Sequence, residues 1–310
     1  MMHRDLKIVF MGTPAFAVPS LDLLNKDFKV VAVVTAPDKP AGRGMKMHQS
    51  DVKKYATDHN IPVLQPTKLK SPEFLEQLKK INPDIQVVVA FRMLPETVWS
   101  LPRLGTINLH ASLLPQYRGA APIHWAVING EKETGVTTFK LKHEIDTGNI
   151  LMQEKVTIGD DETTGELHDK LMTVGAGLLL KTVHGIYEGT IKDSPQSTIT
   201  GTLKLKPAPK IHTEDCKVNW DQPTRQVFNF IRGLNPFPGA YTFLNDARIK
   251  IGSVSKQIEN PKSTPGQLKT DGKSFLKFAT ADGFISVLTL KPEGKREMSI
   301  EDFLRGRRIL

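Results

Sequence analysis

The chain opens on an apolar run, Leu6-Lys-Ile-Val-Phe-Met-Gly12, which reads as a short strand ending at glycine. From Phe16 to Leu24 the apolar residues recur at helical spacing, with Thr13 as a candidate cap and Pro14 as a first-turn residue. Lys29 to Thr35 predicts a second strand, apolar enough to be covered on both faces. Ser50 to His59 predicts a helix, Pro62 to Leu64 a short strand, and Ser71 to Ile81 a helix that begins Ser-Pro-Glu. Asp84 to Ala90 is another buried strand, and Thr106 to His110 is the next. Strands alternating with helices predict an α/β domain with a doubly wound, mostly parallel sheet. Ligands of such sheets sit beyond the carboxyl ends of the strands. The Gly12 turn, Phe91-Arg92 and Asn108/His110 all fall at those ends.

Thr134 to Val156 reads as two strands joined by a loop from Lys142 to Asn149. Thr163 to Glu188 contains a long helix, with Leu167, Leu171, Val174, Leu178 and Leu179 at helical spacing. The character changes at Gly189. Pro, Ser, Thr and Lys then dominate, and 190–207 reads as a linker. Beyond it lie one helix, Thr224 to Gly233, and short strand-like runs at Ala247–Ile251, Gly266–Lys269, Phe275–Ala279 and Phe284–Leu290. Several short strands in so few residues predict a second, smaller β-barrel. The expected domains are therefore 1–189, a linker at 190–207, and 208–310.

Charge sharpens this division. Residues 1–204 carry 24 Lys/Arg against 22 Asp/Glu, whereas residues 205–310 carry 18 against 11. A basic second half points to a polyanion, most often nucleic acid. The single cysteine, Cys216, excludes an intrachain disulfide and a CxxC metal site. No apolar run reaches the ~18 residues that suggest a membrane span, and no signal-peptide core precedes the first strand, so a cytoplasmic protein is expected.

The chemistry concentrates in Asn108-Leu-His-Ala-Ser-Leu-Leu-Pro-Gln-Tyr-Arg-Gly-Ala-Ala-Pro122 and in Asp146-Thr-Gly148. Residues i and i+2 of a strand share a face, so Asn108 and His110 project together. An amide donor beside an imidazole suits a reaction that builds an oxyanion and moves a proton. Asp146 is the expected orienter of that imidazole. A dinucleotide site would need G-x-G-x-x-G after the first strand, but Gly12-Thr-Pro-Ala-Phe-Ala has one glycine, and no P-loop is present. The segment from Pro37 to Gln49, longer than a connection requires, holds Lys39, Arg43, Lys46 and His48 among Pro and Gly. It could grip a phosphate backbone, with salt-sensitive affinity.

These residues resemble the folate-dependent formyltransferases nearly end to end. The resemblance runs through Phe10-Met-Gly-Thr-Pro14, Pro37-Asp-Lys-Pro-Ala-Gly-Arg-Gly44, Asn108-Leu-His110, Ser112-Leu-Leu-Pro115, Tyr117-Arg-Gly-Ala-Ala-Pro-Ile123 and Glu133-Thr-Gly-Val136. It continues in Asp146-Thr-Gly148, Asn235-Pro-Phe-Pro-Gly239 and Leu304-Arg-Gly-Arg307. The Pro-Ala-Gly-Arg-Gly loop and the basic tail are most similar to the members that act on methionine-charged initiator tRNA. The resemblance implies a Rossmann-like domain followed by an OB-type barrel. It implies 10-formyltetrahydrofolate as co-substrate, no metal and a monomeric enzyme. Asn108, His110 and Asp146 are the implied catalytic residues. Phe91, Arg92, Met93 and Leu94 are assigned to the pterin pocket mainly through backbone groups, and His143, Glu144 and Ile145 to its other wall. Here Ala90-Phe-Arg-Met-Leu-Pro95 departs from the longer Ala-Tyr-Gly-x-x-Leu-Pro form of many relatives. Ser112, Leu113, Leu114 and Pro115 form a tight turn beside the folate, with a cis bond expected before Pro115. Contact with tRNA is expected from Lys39, Arg43, Lys46, Lys206, Lys210 and Arg248, with Arg43 central. An enzyme acting on a nucleotide-linked amino sugar is the nearest rival reading; a catalytically silent RNA-binding protein is another.

Overall fold

The computed structural model describes residues 4–41, 46–200 and 204–305. The chain begins with β1 (Arg4–Gly12), a 3-10 turn at Ala15–Ala17, α1 (Val18–Asp27) and β2 (Phe28–Val34). A short hairpin of β3 (Lys39–Ala41) and β4 (Lys46–His48) follows, within the segment expected as plain loop. Then come α2 (Asp51–Asp58), β5 (Val63–Leu64), α3 (Pro72–Ile81), β6 (Ile85–Val89), α4 (Glu96–Trp99), β7 (Thr106–His110) and α5 (Pro122–Ile128). Next are β8 (Glu133–Lys140), β9 (Ile150–Thr157), α6 (Thr164–Tyr187) and a single turn, α7 (Ser197–Thr200). The last third contains α8 (Thr224–Gly233), β10 (Tyr241–Leu244), β11 (Ala247–Ile251), β12 (Val254–Ile258) and β13 (Leu268–Thr270). It ends with β14 (Leu276–Ala279), β15 (Gly283–Val287), β16 (Thr289–Pro292), β17 (Met298–Ser299) and α9 (Ile300–Arg305).

The helix signals act through identifiable bonds. Ser50 Oγ accepts from Lys53 N at 3.1 Å, capping α2, and Ser71 Oγ accepts from Phe74 N at 3.4 Å, capping α3. Asn82 closes α3 in the left-handed region, with φ 47°. At α6, Thr163 and Glu166 form a reciprocal capping box: Glu166 N donates to Thr163 Oγ1, and Thr163 N donates to Glu166 Oε2. The expectation for α1 needs correction. Thr13 does not cap it, and Pro14 stays extended at φ −80°, ψ 171°. The chain makes a 3-10 turn first, and Pro19 occupies the opening of α1 instead. Proline lacks a backbone donor and is fixed near helical φ, so it suits a first turn at either place.

Two compact units emerge: residues 1–119, 135–156 and 169–207 in the first, and 120–134, 157–168 and 208–310 in the second. The first unit is built on a seven-stranded sheet in the order β5-β2-β1-β6-β7-β8-β9. The pairs β5/β2, β2/β1, β1/β6 and β6/β7 are parallel, and β7/β8 is antiparallel. β6 is buried at all five positions, as its uninterrupted apolar run requires. Val9, Met11, Val34, Phe74, Leu78, Val88 and Val98 form a core on one side of the sheet. On α6, Gly175 lies where an added Cβ would stand 2.9 Å from Leu109 Cδ2, so the helix passes close over β7. That contact uses the Leu109 face of β7 and leaves the Asn108/His110 face for chemistry.

The second unit holds two four-stranded antiparallel sheets, β10-β11-β16-β17 and β12-β15-β14-β13, with α8 among them. Val227, Phe228 and Ile231 of α8 join Ile249, Phe278, Ile285, Leu290 and Phe303 in one core. Buried Arg232 donates from Nη1 to Glu162 O at 2.6 Å and from Nε to Asn229 Oδ1 at 2.8 Å, fastening the 157–168 segment to α8. Among the described residues no helix is long and apolar enough to cross a membrane.

Leu78 is fully buried in the first unit's core. Leu78→Ala is expected to cost about 2–5 kcal/mol of stability. Urea unfolding would register this as a lower midpoint at unchanged slope.

Candidate active site

The site forms where β6 and β7 end and where β8 turns into β9. Asn108 pairs with Val88 on one side and Phe139 on the other, so its backbone is locked by two ladders. Its side chain is half-buried and has no hydrogen-bond partner among the described residues. That amide keeps both donors for something other than the fold.

His110 is 6% exposed. Its Nε2 lies 2.9 Å from Tyr117 O. A carbonyl only accepts, so Nε2 carries a proton and donates it there. Nδ1 is then the nitrogen that gains or loses a proton, and it faces Asp146 Oδ2 at 3.9 Å. That separation exceeds a direct hydrogen bond. Asp146 is an electrostatic neighbour, and the Tyr117 carbonyl is the orienter. Tyr117 sits at φ 58°, a left-handed conformation that residues other than glycine seldom adopt.

Asp146 is held in turn. Its Oδ2 accepts from Gly119 N at 2.9 Å, and its backbone is left-handed at φ 54°. Gly148 explains the Asp-Thr-Gly spacing: a Cβ there would stand 1.6 Å from Lys140 O. Gln196, 3% exposed, donates from Nε2 to Asp146 O at 2.7 Å and to Gly148 O at 2.9 Å. Its Oε1 accepts from Arg118 Nε at 3.0 Å. One glutamine thus ties the Arg118 turn to the Asp146 turn.

The turn after β7 is organised by Thr137. Its hydroxyl donates to Ser112 O at 2.6 Å and accepts from Leu114 N at 3.1 Å and Gln153 Nε2 at 2.9 Å. A hydroxyl has one donor and two lone pairs, and all are used. Gln153 Nε2 also donates to Leu114 O at 2.8 Å. The Leu114–Pro115 bond is cis. Ser112 is fully buried and its hydroxyl donates to Gln116 O at 2.7 Å, so it serves the turn. Leu114 packs with Phe139 and Ile150. Pro115 is buried and Leu113 half-buried.

His143, in one of the loops assigned to the pterin pocket, meets α4, which follows the other: its Nε2 is 3.2 Å from Glu96 Oε1 and its ring stands edge-on to Trp99. Glu144 and Ile145 are exposed, Ile145 at 61%. Opposite, Met93 is 75% exposed while Leu94 is buried in the core. Phe91 is half-buried, and Ala90 before it is left-handed at φ 48°. Arg92 donates from Nη1 to Thr67 O at 2.9 Å and from Nη2 to Pro66 O, which commits both terminal nitrogens to the 66–67 backbone.

The basic residues are more dispersed. Lys39 begins β3 and is exposed, and Lys46 begins β4. Arg43, Arg307 and Arg308 lie outside the described residues. The side chains of Lys206 and Lys210 are exposed. The backbone of Lys206 is fixed: its N donates to Gln116 Oε1 at 2.8 Å and its O accepts from Tyr117 N at 2.7 Å. Arg248 stacks on Tyr241, 3.8 Å from the ring centroid, with its Nε buried and without a hydrogen-bond partner among the described residues. No cluster of three or more His, Cys, Asp or Glu that could hold a metal occurs among the described residues.

Thr137, Gln153, Gln196 and the Tyr117 carbonyl are site residues that sequence reasoning missed. Thr137→Val takes this partner from two buried groups, Ser112 O and Leu114 N, and leaves Gln153 Nε2 with its bond to Leu114 O alone; each buried polar group costs about 1–3 kcal/mol when unpaired. Loss of several kcal/mol in urea unfolding is expected, with Thr137→Ser recovering most of it. A Val variant as stable as the parent would remove Thr137 from its central place in the turn.

Residues 6–183 match the family described as Formyl transferase, and residues 210–308 match Formyl transferase, C-terminal domain. A methionyl-tRNA formyltransferase of Bacteroides fragilis is 51% identical over 312 residues, covering 99% of this chain and 96% of the relative. One from Azobacteroides pseudotrichonymphae is 52% identical over 319 residues, covering 100% and 98%. Among solved structures, the sugar 3N-formyl transferase WlaRD superposes with a TM-score of 0.67 at 21% identity, over 94% of this chain and 100% of that one. HypX from Aquifex aeolicus, in complex with tetrahydrofolic acid, does so with 0.65 at 16% identity, over 97% of this chain and 47% of that one. The chain belongs to the formyltransferase family, in the group of the methionyl-tRNA formyltransferases.

Proposed function

We propose that the protein transfers a formyl group from 10-formyltetrahydrofolate to the α-amino group of methionyl-initiator-tRNA, giving the N-formylated form used to start translation. The observation that carries this reading is the unpartnered amide of Asn108 on the same strand face as His110, whose free nitrogen Nδ1 looks toward Asp146. The folate supplies an activated formyl carbon and a nitrogen leaving group. The chain's residues supply the rest.

In this reading Asn108 Nδ2 donates to the formyl oxygen, where negative charge grows as the amine adds. Neutral Nδ1 of His110 takes the proton that the amine releases. The resulting imidazolium is stabilised by the Asp146 carboxylate and by its second donor bond to Tyr117 O. The proton then goes to the folate nitrogen as its bond to the formyl carbon breaks. One C–N bond forms, one breaks, and His110 ends as it began. Phe91 to Leu94, the Ser112–Pro115 turn and His143 to Ile145 border the folate, with the backbone of 91–94 meeting the pterin. Exposed Met93 and Ile145 give the set apolar surface that suits a flat heterocycle.

The acceptor is read elsewhere. In this reading residues 1–189 catalyse, and 208–310 form an OB-type barrel that binds tRNA. Lys39, Arg43, Lys46, Lys206, Lys210 and Arg248 contact its phosphates. The amino-sugar alternative is disfavoured by full-length identity near 50% to tRNA enzymes against 21% to a sugar enzyme.

Incubation with 10-formyltetrahydrofolate and charged initiator tRNA should give formyl-methionine on the tRNA; no product would sink the proposal. Asn108→Ala is expected to lower kcat by about 10²–10³. His110→Ala should lower turnover while tRNA binding, followed by filter retention, persists. Arg43→Ala should raise the KM for charged tRNA and leave folate affinity unchanged. Reduced folate affinity would move that loop out of the tRNA site.

A further inference from the structure

The second unit contains a cavity that the transfer chemistry does not use. It measures about 460 Å³ and is lined by Lys217, Asn219, Gln222, Gln226, Asn229 and Phe230, among others. No carboxylate lines it. We propose that this cavity holds an unpaired nucleotide of the tRNA substrate, with Gln222 and Gln226 reading the base edge and Lys217 meeting a phosphate.

The lining argues for this occupant. Gln226, Asn229 and Phe230 stand at i, i+3 and i+4 on α8 and so share one helix face. Gln222 and Gln226 are exposed, and their amides have no hydrogen-bond partner among the described residues. Each offers a donor and an acceptor together, the pattern that matches the paired donor and acceptor of a base edge. Asn229 is committed differently: its Oδ1 accepts from Arg232 Nε at 2.8 Å, and this makes it a fixed wall. Asn219 Oδ1 accepts from Asp221 N at 3.1 Å, which leaves its NH₂ donors. Phe230 is half-buried and contributes an apolar surface to the cavity, the kind of contact a base face makes in single-stranded RNA sites. Lys217 has no ion-pair partner among the described residues, and its Nζ lies 5.6 Å from the Phe243 ring centroid. The surrounding residues 205–310 carry 18 basic against 11 acidic side chains, which complements a polyanion. A double-stranded stem uses its Watson–Crick edges in pairing and keeps its major groove too narrow for side chains, so paired amides of this kind best suit a nucleotide outside the helix.

This inference rests on the tRNA reading above, and its test separates the two. The variant Gln222→Met/Gln226→Met keeps side-chain bulk and removes the bonds. It should raise both the Kd for the tRNA and the KM for charged tRNA about tenfold. The KM for 10-formyltetrahydrofolate, kcat and the unfolding temperature should hold. Because the lost contacts are uncharged, the salt dependence of tRNA binding should keep its slope. Lys217→Ala should instead lower that slope by about one. Unchanged tRNA affinity in the Met pair overturns the proposal, whatever the wild type does. An effect of Lys217→Ala without one from the Met pair also overturns it, leaving a phosphate contact only. If wild type fails to formylate charged tRNA but the Met pair weakens tRNA binding, the nucleotide site stands and the formylation reading falls.

Discussion

A single hydroxyl, that of Thr137, organises the site. Its three bonds reach Ser112 O, Leu114 N and Gln153 Nε2, so β8, β9 and the turn after β7 are joined at one atom. The energy comes from context. Thr137 is fully buried, and a polar atom in that position is worth most when every lone pair and proton is matched. The turn that it fixes leads to Tyr117, whose carbonyl aims the imidazole, and to Gly119, whose N–H holds Asp146. Asn108 and His110 on β7 and Asp146 between β8 and β9, the side chains proposed to carry the chemistry, therefore share one point of support.

Much of this was legible before any coordinates. The alternation of apolar strands with capped helices in the first 110 residues predicts the parallel sheet, because each segment is long enough to show its period. Asn108 and His110 share a face through strand geometry alone. The second half was less readable. β10, β12 and β17 have no sustained alternation, and α5, seven residues long, is too short to display a helical period. Among the site residues, Gln196 lies in a Pro/Ser/Thr segment that reads as linker, and its partners are 48 and 50 residues away. No local pattern announces such a contact. The Tyr117 carbonyl is invisible for another reason: every residue has one, and only the left-handed turn gives this one a task.

The three non-glycine residues held in the left-handed region around the site, Ala90, Tyr117 and Asp146, follow the same logic. Each costs of order 1–3 kcal/mol and persists because surrounding bonds over-determine it. Gln196 and Gly119 provide such bonds at Asp146, and Lys206 O does so for the backbone of Tyr117. The fold thus spends stability on the aim of its turns.

The commitment of His110 Nε2 to a carbonyl has a topological consequence. A ring with both nitrogens free can pass a proton through itself, in at one side and out at the other. This one has a single port. Whatever it receives at Nδ1 must leave from Nδ1, because Tyr117 O cannot carry a proton away. In the proposed transfer, the attacking amine and the departing folate nitrogen therefore meet the same edge of the imidazole, one after the other. In that reading one backbone hydrogen bond selects the single ring nitrogen that serves both substrates.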